Sequence, residues 1–147
     1  MNLFEPSSVA EVLFRLNNIT AATPAQWGKM NAAQMMAHCQ APFQTYFGEK
    51  KLKRVLISYL FGKMAKKKLM GTQPWARNLP TAPQFKINDE REFAAEKRKL
   101  VDYINRFATE GYTITATVHP FFGKLSSQEW AVLAYKHLDH HLKQFGV

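Results

Sequence analysis

The chain has a single cysteine, Cys39, among its 147 residues. That excludes an intramolecular disulfide and a cysteine-based zinc site, and it fits a reducing compartment. A long apolar run is also missing, and the opening MNLFEPSS has neither a basic n-region nor an apolar core, so neither a signal peptide nor a transmembrane anchor is expected. There are no internal repeats, no low-complexity tracts, no phosphate-binding Gly-rich loop and no Ser/His/Asp order suggesting a nucleophilic triad. The expectation is one cytoplasmic domain over residues 1–147, long enough to bury one core.

Acidic residues are scarce, 11 against 20 basic ones, for a net charge of +9. Such a charge raises nucleic acid or an anionic membrane as partners. Its distribution argues otherwise. Lys50, Lys51, Lys53, Arg54, Lys63, Lys66, Lys67 and Lys68 face one acid, Glu49, between Glu49 and Met70, a local surplus of seven, and the remainder is close to neutral. This stretch lacks Arg-aromatic interleaving, so nucleic acid is not expected. A lysine fringe on an amphipathic helix can still attract an anionic substrate or surface.

What is present is helical periodicity. Ser8 and Glu11 have capping-box spacing, and Val9, Val12, Leu13 and Leu16 follow at i, i+3, i+4 and i+7, predicting a helix that ends near Asn17 and Asn18. Asn31 and Gln34 make a second box, opening a helix that runs to about Phe47 through Pro42. Pro42 lacks the N–H that would bond the carbonyl of His38, so the helix should bend one turn beyond that histidine or end early. Lys51 to Met70 reads as a basic amphipathic helix that Gly62 could break. A crossover loop with Pro74, Pro80, Pro83 and an exposed-looking Trp75 spans 71–87, and Asp89 is expected to cap a helix carrying Phe93, Leu100, Ile104 and Phe107. His119-Pro120 in TITATVHPFFGK suggests a loop, because no partner strand is apparent. Ser126 and Glu129 box the last helix, flanked by Leu125 and Trp130 as a staple. The fold class expected is all-α, a four-helix bundle with an added basic helix and a long Pro-containing crossover.

Within the last helix, Trp130, Ala134, His137, His141 and Phe145 fall on one face, with His140 on its flank and Asp139 opposite. Two inward histidines at i and i+4 have the spacing by which a helix offers both rings to one metal ion. His38, on a line with Gln34, Ala41 and Thr45, is a candidate third ligand, with His119 and His140 as rivals. The ordinary alternative is that each is a hydrogen-bonded core histidine. Cys39, beside His38, reads as a small buried hydrophobe.

WGKMNAAQMMAHCQ, followed about a hundred residues later by KHLDHHLKQFG, resembles the DinB-like superfamily, which includes the YfiT-type thiol transferases. The ending HPFFGKLSSQEW…YKHLDHHLKQFGV is most similar to a branch known only as a domain of unknown function. The resemblance implies an up-up-down-down four-helix bundle with a divalent metal, Zn or Ni, on His38, His137 and His141. Related members are thiol-dependent transferases, among them a maleylpyruvate isomerase using a small thiol, or hydrolases.

These observations suggest a metal-dependent transferase or hydrolase acting on a small molecule, with a low-molecular-weight thiol as possible cosubstrate and a homodimer left open. Tyr46, Glu96, Asp102 and Tyr103 are candidates for a general base. Two competing expectations are a non-enzymatic module that binds an anionic surface through residues 51–70, and a bundle that keeps the histidines for metal-linked stability.

Overall fold

The computed structural model describes residues 1–50, 57–81, 83–114 and 116–147. Among these the fold is mostly helical, with five α-helices: α1 (Pro6–Asn17), α2 (Ala32–Tyr46), α3 (Ile57–Met70), α4 (Phe93–Glu110) and α5 (Ser127–Gln144). Residues 51–56, expected to begin the basic helix and including Leu52, Val55 and Leu56, lie outside the described residues.

Helix α2 is the centre of the structure. Eleven of its fifteen residues are buried, from Ala32 through Tyr46, so it has no polar face to turn to solvent. It packs against α4 and α5, and α1 lies over both of those helices. Pro42 sits inside α2, which continues through it to Tyr46, so the helix does not end early. The Asn31–Gln34 capping box forms as expected, with Gln34 N donating to Asn31 Oδ1 at 2.8 Å and Asn31 N to Gln34 Oε1 at 3.1 Å.

Helices α2 and α5 run antiparallel, as their contacts show at both ends. Tyr46 on α2 meets Trp130 on α5 at 5.4 Å between ring centroids, and Phe107 of α4 meets Tyr46 at 4.8 Å. At the opposite end His38 of α2 faces the last turns of α5. Leu100, Ile104 and Phe107 on α4, and Val12 and Leu16 on α1, are all fully buried in the same core.

Three expectations about element boundaries need correction. Helix α1 begins at Pro6, ahead of Ser8, because proline fits the first helical position. Ser8 is buried and its hydroxyl donates to Glu5 Oε2 at 3.0 Å. Helix α4 is capped by Glu92, whose carboxylate accepts from Ala94 N and Ala95 N at 2.9 and 2.6 Å, while Asp89 pairs with Arg91. Helix α3 is unbroken at Gly62. That glycine is there for close approach: a Cβ would stand 2.5 Å from the backbone oxygen of Phe121.

The expectation of an all-α chain with a loop at His119 is also corrected. A small antiparallel hairpin pairs β1 (Ala116–His119) with β2 (Gly123–Ser126), in the register Thr117 to Leu125 and His119 to Gly123. The physical reason is side-chain closure of the turn. His119 Nδ1 accepts hydrogen bonds from the N–H groups of Phe121 and Phe122, each at 3.1 Å. The second strand alternates buried and exposed positions and runs directly into the Ser126 cap of α5, which hides it as part of a helix start.

Candidate metal centre

Three imidazoles meet where the first turns of α2 pass the last turns of α5. One nitrogen or another of His38, His137 and His141 lies within 4.8 Å of each of the other two, the one such His/Cys/Asp/Glu group among the described residues. Ring centroids are separated by 5.0 Å (His38–His137), 4.8 Å (His38–His141) and 4.7 Å (His137–His141). The i, i+4 spacing on α5 brings two rings to one side, and the antiparallel crossing of α2 brings the third.

Two of the three tautomers follow from the hydrogen bonds. His38 Nδ1 lies 2.9 Å from the carbonyl oxygen of Phe85, which can only accept, so Nδ1 carries the proton and Nε2 keeps its lone pair. His141 Nδ1 lies 2.7 Å from Gln144 Oε1. The Gln144 amide is itself oriented, because its Nε2 donates to the carbonyl of Trp27 at 2.6 Å. His141 is thus also protonated on Nδ1, with Nε2 free. Gly28 makes room for this arrangement: a Cβ there would stand 2.5 Å from Gln144 Nε2, and its φ of 82° suits glycine.

His38 Nε2 stands 3.1 Å from His137 Nε2. Two nitrogens on one ion at about 2.0–2.1 Å are separated by roughly 2.8–3.4 Å for bond angles between octahedral and tetrahedral. The pair already has that spacing, and it equally suits an imidazole–imidazole hydrogen bond, with His137 donating, when no ion is present. Burial lowers the pKa of all three rings. His141 is pushed down to about 3, and His137 is held well below its usual range by burial and then by its histidine neighbours. Neutral imidazoles are the form a metal requires.

His140 does not join the three. Its ring packs between Trp27 and Trp75, at 5.9 and 5.7 Å, and against His141 at 5.1 Å. His119 is committed to its hairpin, with Nδ1 occupied by two backbone donors and its ring packed on Phe122 and Trp130. Cys39 is fully buried beside Met35, and burial pushes its thiol pKa up, as expected of a hydrophobe.

The general-base candidates are engaged elsewhere. Tyr46 donates to the carbonyls of Gly111 and Ile114 in the aromatic core, Tyr103 bonds Glu49, Asp102 is exposed, and Glu96 accepts from the buried amide of Gln40 at 2.7 Å. Gln144, Phe85, Trp75 and Trp27 were not singled out as site residues. Gln144 could have been found from its i, i+3 spacing to His141. Phe85 could not, since it acts through a backbone carbonyl that every residue possesses. Trp75 is half-buried, not exposed: its Nε1 donates to the carbonyl of Leu69 at 2.8 Å, and its ring lies 5.9 Å from His137.

A family model described as a protein of unknown function (DUF1569) matches residues 7–146. The chain belongs to the DUF1569 family. No curated protein and no solved structure matches it. No helix among the described residues is long and apolar enough to cross a membrane.

Proposed function

We propose that this DUF1569 protein is a divalent-metal-binding enzyme of the DinB/YfiT-like type, an up-up-down-down four-helix bundle whose ion, Zn or Ni, is held by His38, His137 and His141. The observation that supports it most is the pair of fixed tautomers. Phe85 and Gln144 hold the Nδ1 protons of His38 and His141, leaving both Nε2 lone pairs available beside His137. Carbonyl and amide oxygens on the far ring nitrogen are the usual outer partners of metal-bound histidines. A set of three imidazoles suits an open, catalytic site more than a closed structural one. Bound there, a divalent ion lowers the pKa of a water or a small thiol that reaches it. The chain's part is to keep the three rings neutral by burial and to pack Trp75 against His137. The reaction is hydrolysis or thiol transfer on a small molecule. Calorimetric titration of untagged, chelator-treated protein with Zn²⁺ and Ni²⁺ tests the reading: about one site per chain is expected, removed by His137→Ala. Absence of binding by the wild type would sink it.

A second reading is favoured by one observation on α3. Leu60, Phe61 and Met64 are 79%, 48% and 65% exposed, between the exposed Lys63, Lys67 and Lys68. An apolar strip with a cationic fringe suits an anionic lipid surface. Binding to acidic vesicles that falls with salt, and is lost when those three lysines become glutamine, would support this role. Salt-independent absence of binding would remove it.

A further inference from the structure

Beside the three histidines lies a separate pocket of about 280 Å³, near the lower end of small-molecule sites. Trp27 and Trp75 form two of its walls, with His140 between them at 5.9 and 5.7 Å. These are planar apolar surfaces suited to a flat, unsaturated body. The Arg77 guanidinium carbon lies 4.5 Å from the centre of the Trp27 ring, so its charge is held at the pocket wall.

The charge around this pocket is one-sided. Its only carboxylate among the described residues, Asp139, is already matched on both oxygens, with Arg15 Nη1 at 2.9 Å and Lys143 Nζ at 2.7 Å. Lys136 donates to the carbonyls of Gly71 and Gln73, which fixes the crossover loop to α5 without neutralising the lysine. Arg77 has no carboxylate partner among the described residues. Two positive charges, on Arg77 and Lys136, thus remain uncompensated around a slot with indole walls.

We infer that this pocket binds a small planar carboxylate, its anionic end on Arg77 and its flat body against the Trp75 and His140 rings that line it. A guanidinium presents paired donors that match a carboxylate. A ligand there lies one ring from the triad, since Trp75 touches His137 and His140 touches His141. That the ligand is the substrate rests on the proposed metal chemistry; that it binds does not.

The test uses two probes of one shape and different charge, 4-fluorobenzoate and 4-fluorobenzamide, titrated by ¹⁹F NMR into chelator-treated, full-length protein. The acid is expected to bind about tenfold or more tighter than the amide. Arg77 is exposed, so Arg77→Gln should fold; it should weaken the acid by about tenfold and the amide by less than about twofold, and Arg77→Lys should restore part of the loss. Trp75→Leu should weaken both probes. Equal binding of acid and amide, no binding of the acid, or acid binding indifferent to Arg77→Gln would overturn the inference. Because these titrations are metal-free, charge-selective binding survives a failure of the metal reading. A protein that binds metal but does not discriminate the probes refutes the pocket alone.

Discussion

Helices α2 and α5 meet twice, and the two meetings are chemically opposite. At one end Tyr46 and Trp130 join Phe107 and Phe43 in a cluster with ring centroids 4.8–5.5 Å apart, all buried. At the other end, rings at almost the same spacing are imidazoles, with nitrogens converging and outer nitrogens tied to Phe85 and Gln144. The aromatic end is explained mainly by apolar burial, with the Tyr46 hydroxyl paired to the carbonyls of Gly111 and Ile114. The histidine end is not, since imidazoles placed side by side give less apolar burial than leucines would and need polar partners on every nitrogen. One helix pair therefore holds an aromatic packing site and the histidine cluster proposed as a metal centre, so the two ends can be perturbed separately.

The largest effect expected from breaking this contrast is at the aromatic end. Trp130→Ala should cost about 3–5 kcal/mol of folding stability in chemical denaturation. His137→Ala, at a half-buried position, should cost far less, and a similar loss would mean that the histidines are core residues.

Acid should act through one buried imidazole at each end, His141 among the histidines and His119 against Trp130. Burial holds the pKa of His141 and of His119 at about 3, below the ordinary 6.5. A folded-state pKa below the unfolded one means that unfolding takes up protons, so stability is full above pH 6.5 and falls as pH drops toward 3. Each such imidazole should remove about 2 kcal/mol between pH 6.5 and 5. Denaturation curves at the two pH values measure this; an unchanged midpoint would contradict the burial of neutral rings.

Smaller still is the expected effect of the outer partner. Gln144→Leu removes the acceptor that fixes His141 and should lower Zn²⁺ affinity about 10–100-fold, leaving the aromatic cluster intact. Zn²⁺ titration compared with the melting temperature checks both halves.

The sequence makes the two ends legible to different depths. His137 and His141 could be paired from their i, i+4 spacing with Trp130 and Phe145, and the boxes at Asn31 and Ser126 set the starts of α2 and α5 correctly. His38 was only a candidate, because nothing in one strand of sequence says which helices cross. The starts of α1 and α4 differ from expectation because Ser8 and Asp89 have the right chemistry while Pro6 and Glu92 have the right backbone position. The β-hairpin escaped because its second strand is four residues long and merges into a helix cap. The pocket at Trp27, Trp75 and Arg77 is assembled from two loops and α5, and only the fold brings them together.

The difference between the two ends is tested most directly by elemental analysis of untagged wild-type and His137→Ala protein, purified side by side and equilibrated with equimolar Zn²⁺ and Ni²⁺ before desalting. About one divalent ion per wild-type chain and almost none in the variant is the expected result. Equal metal content in the two proteins, or none in either, would contradict the assignment of the histidine end as a metal centre.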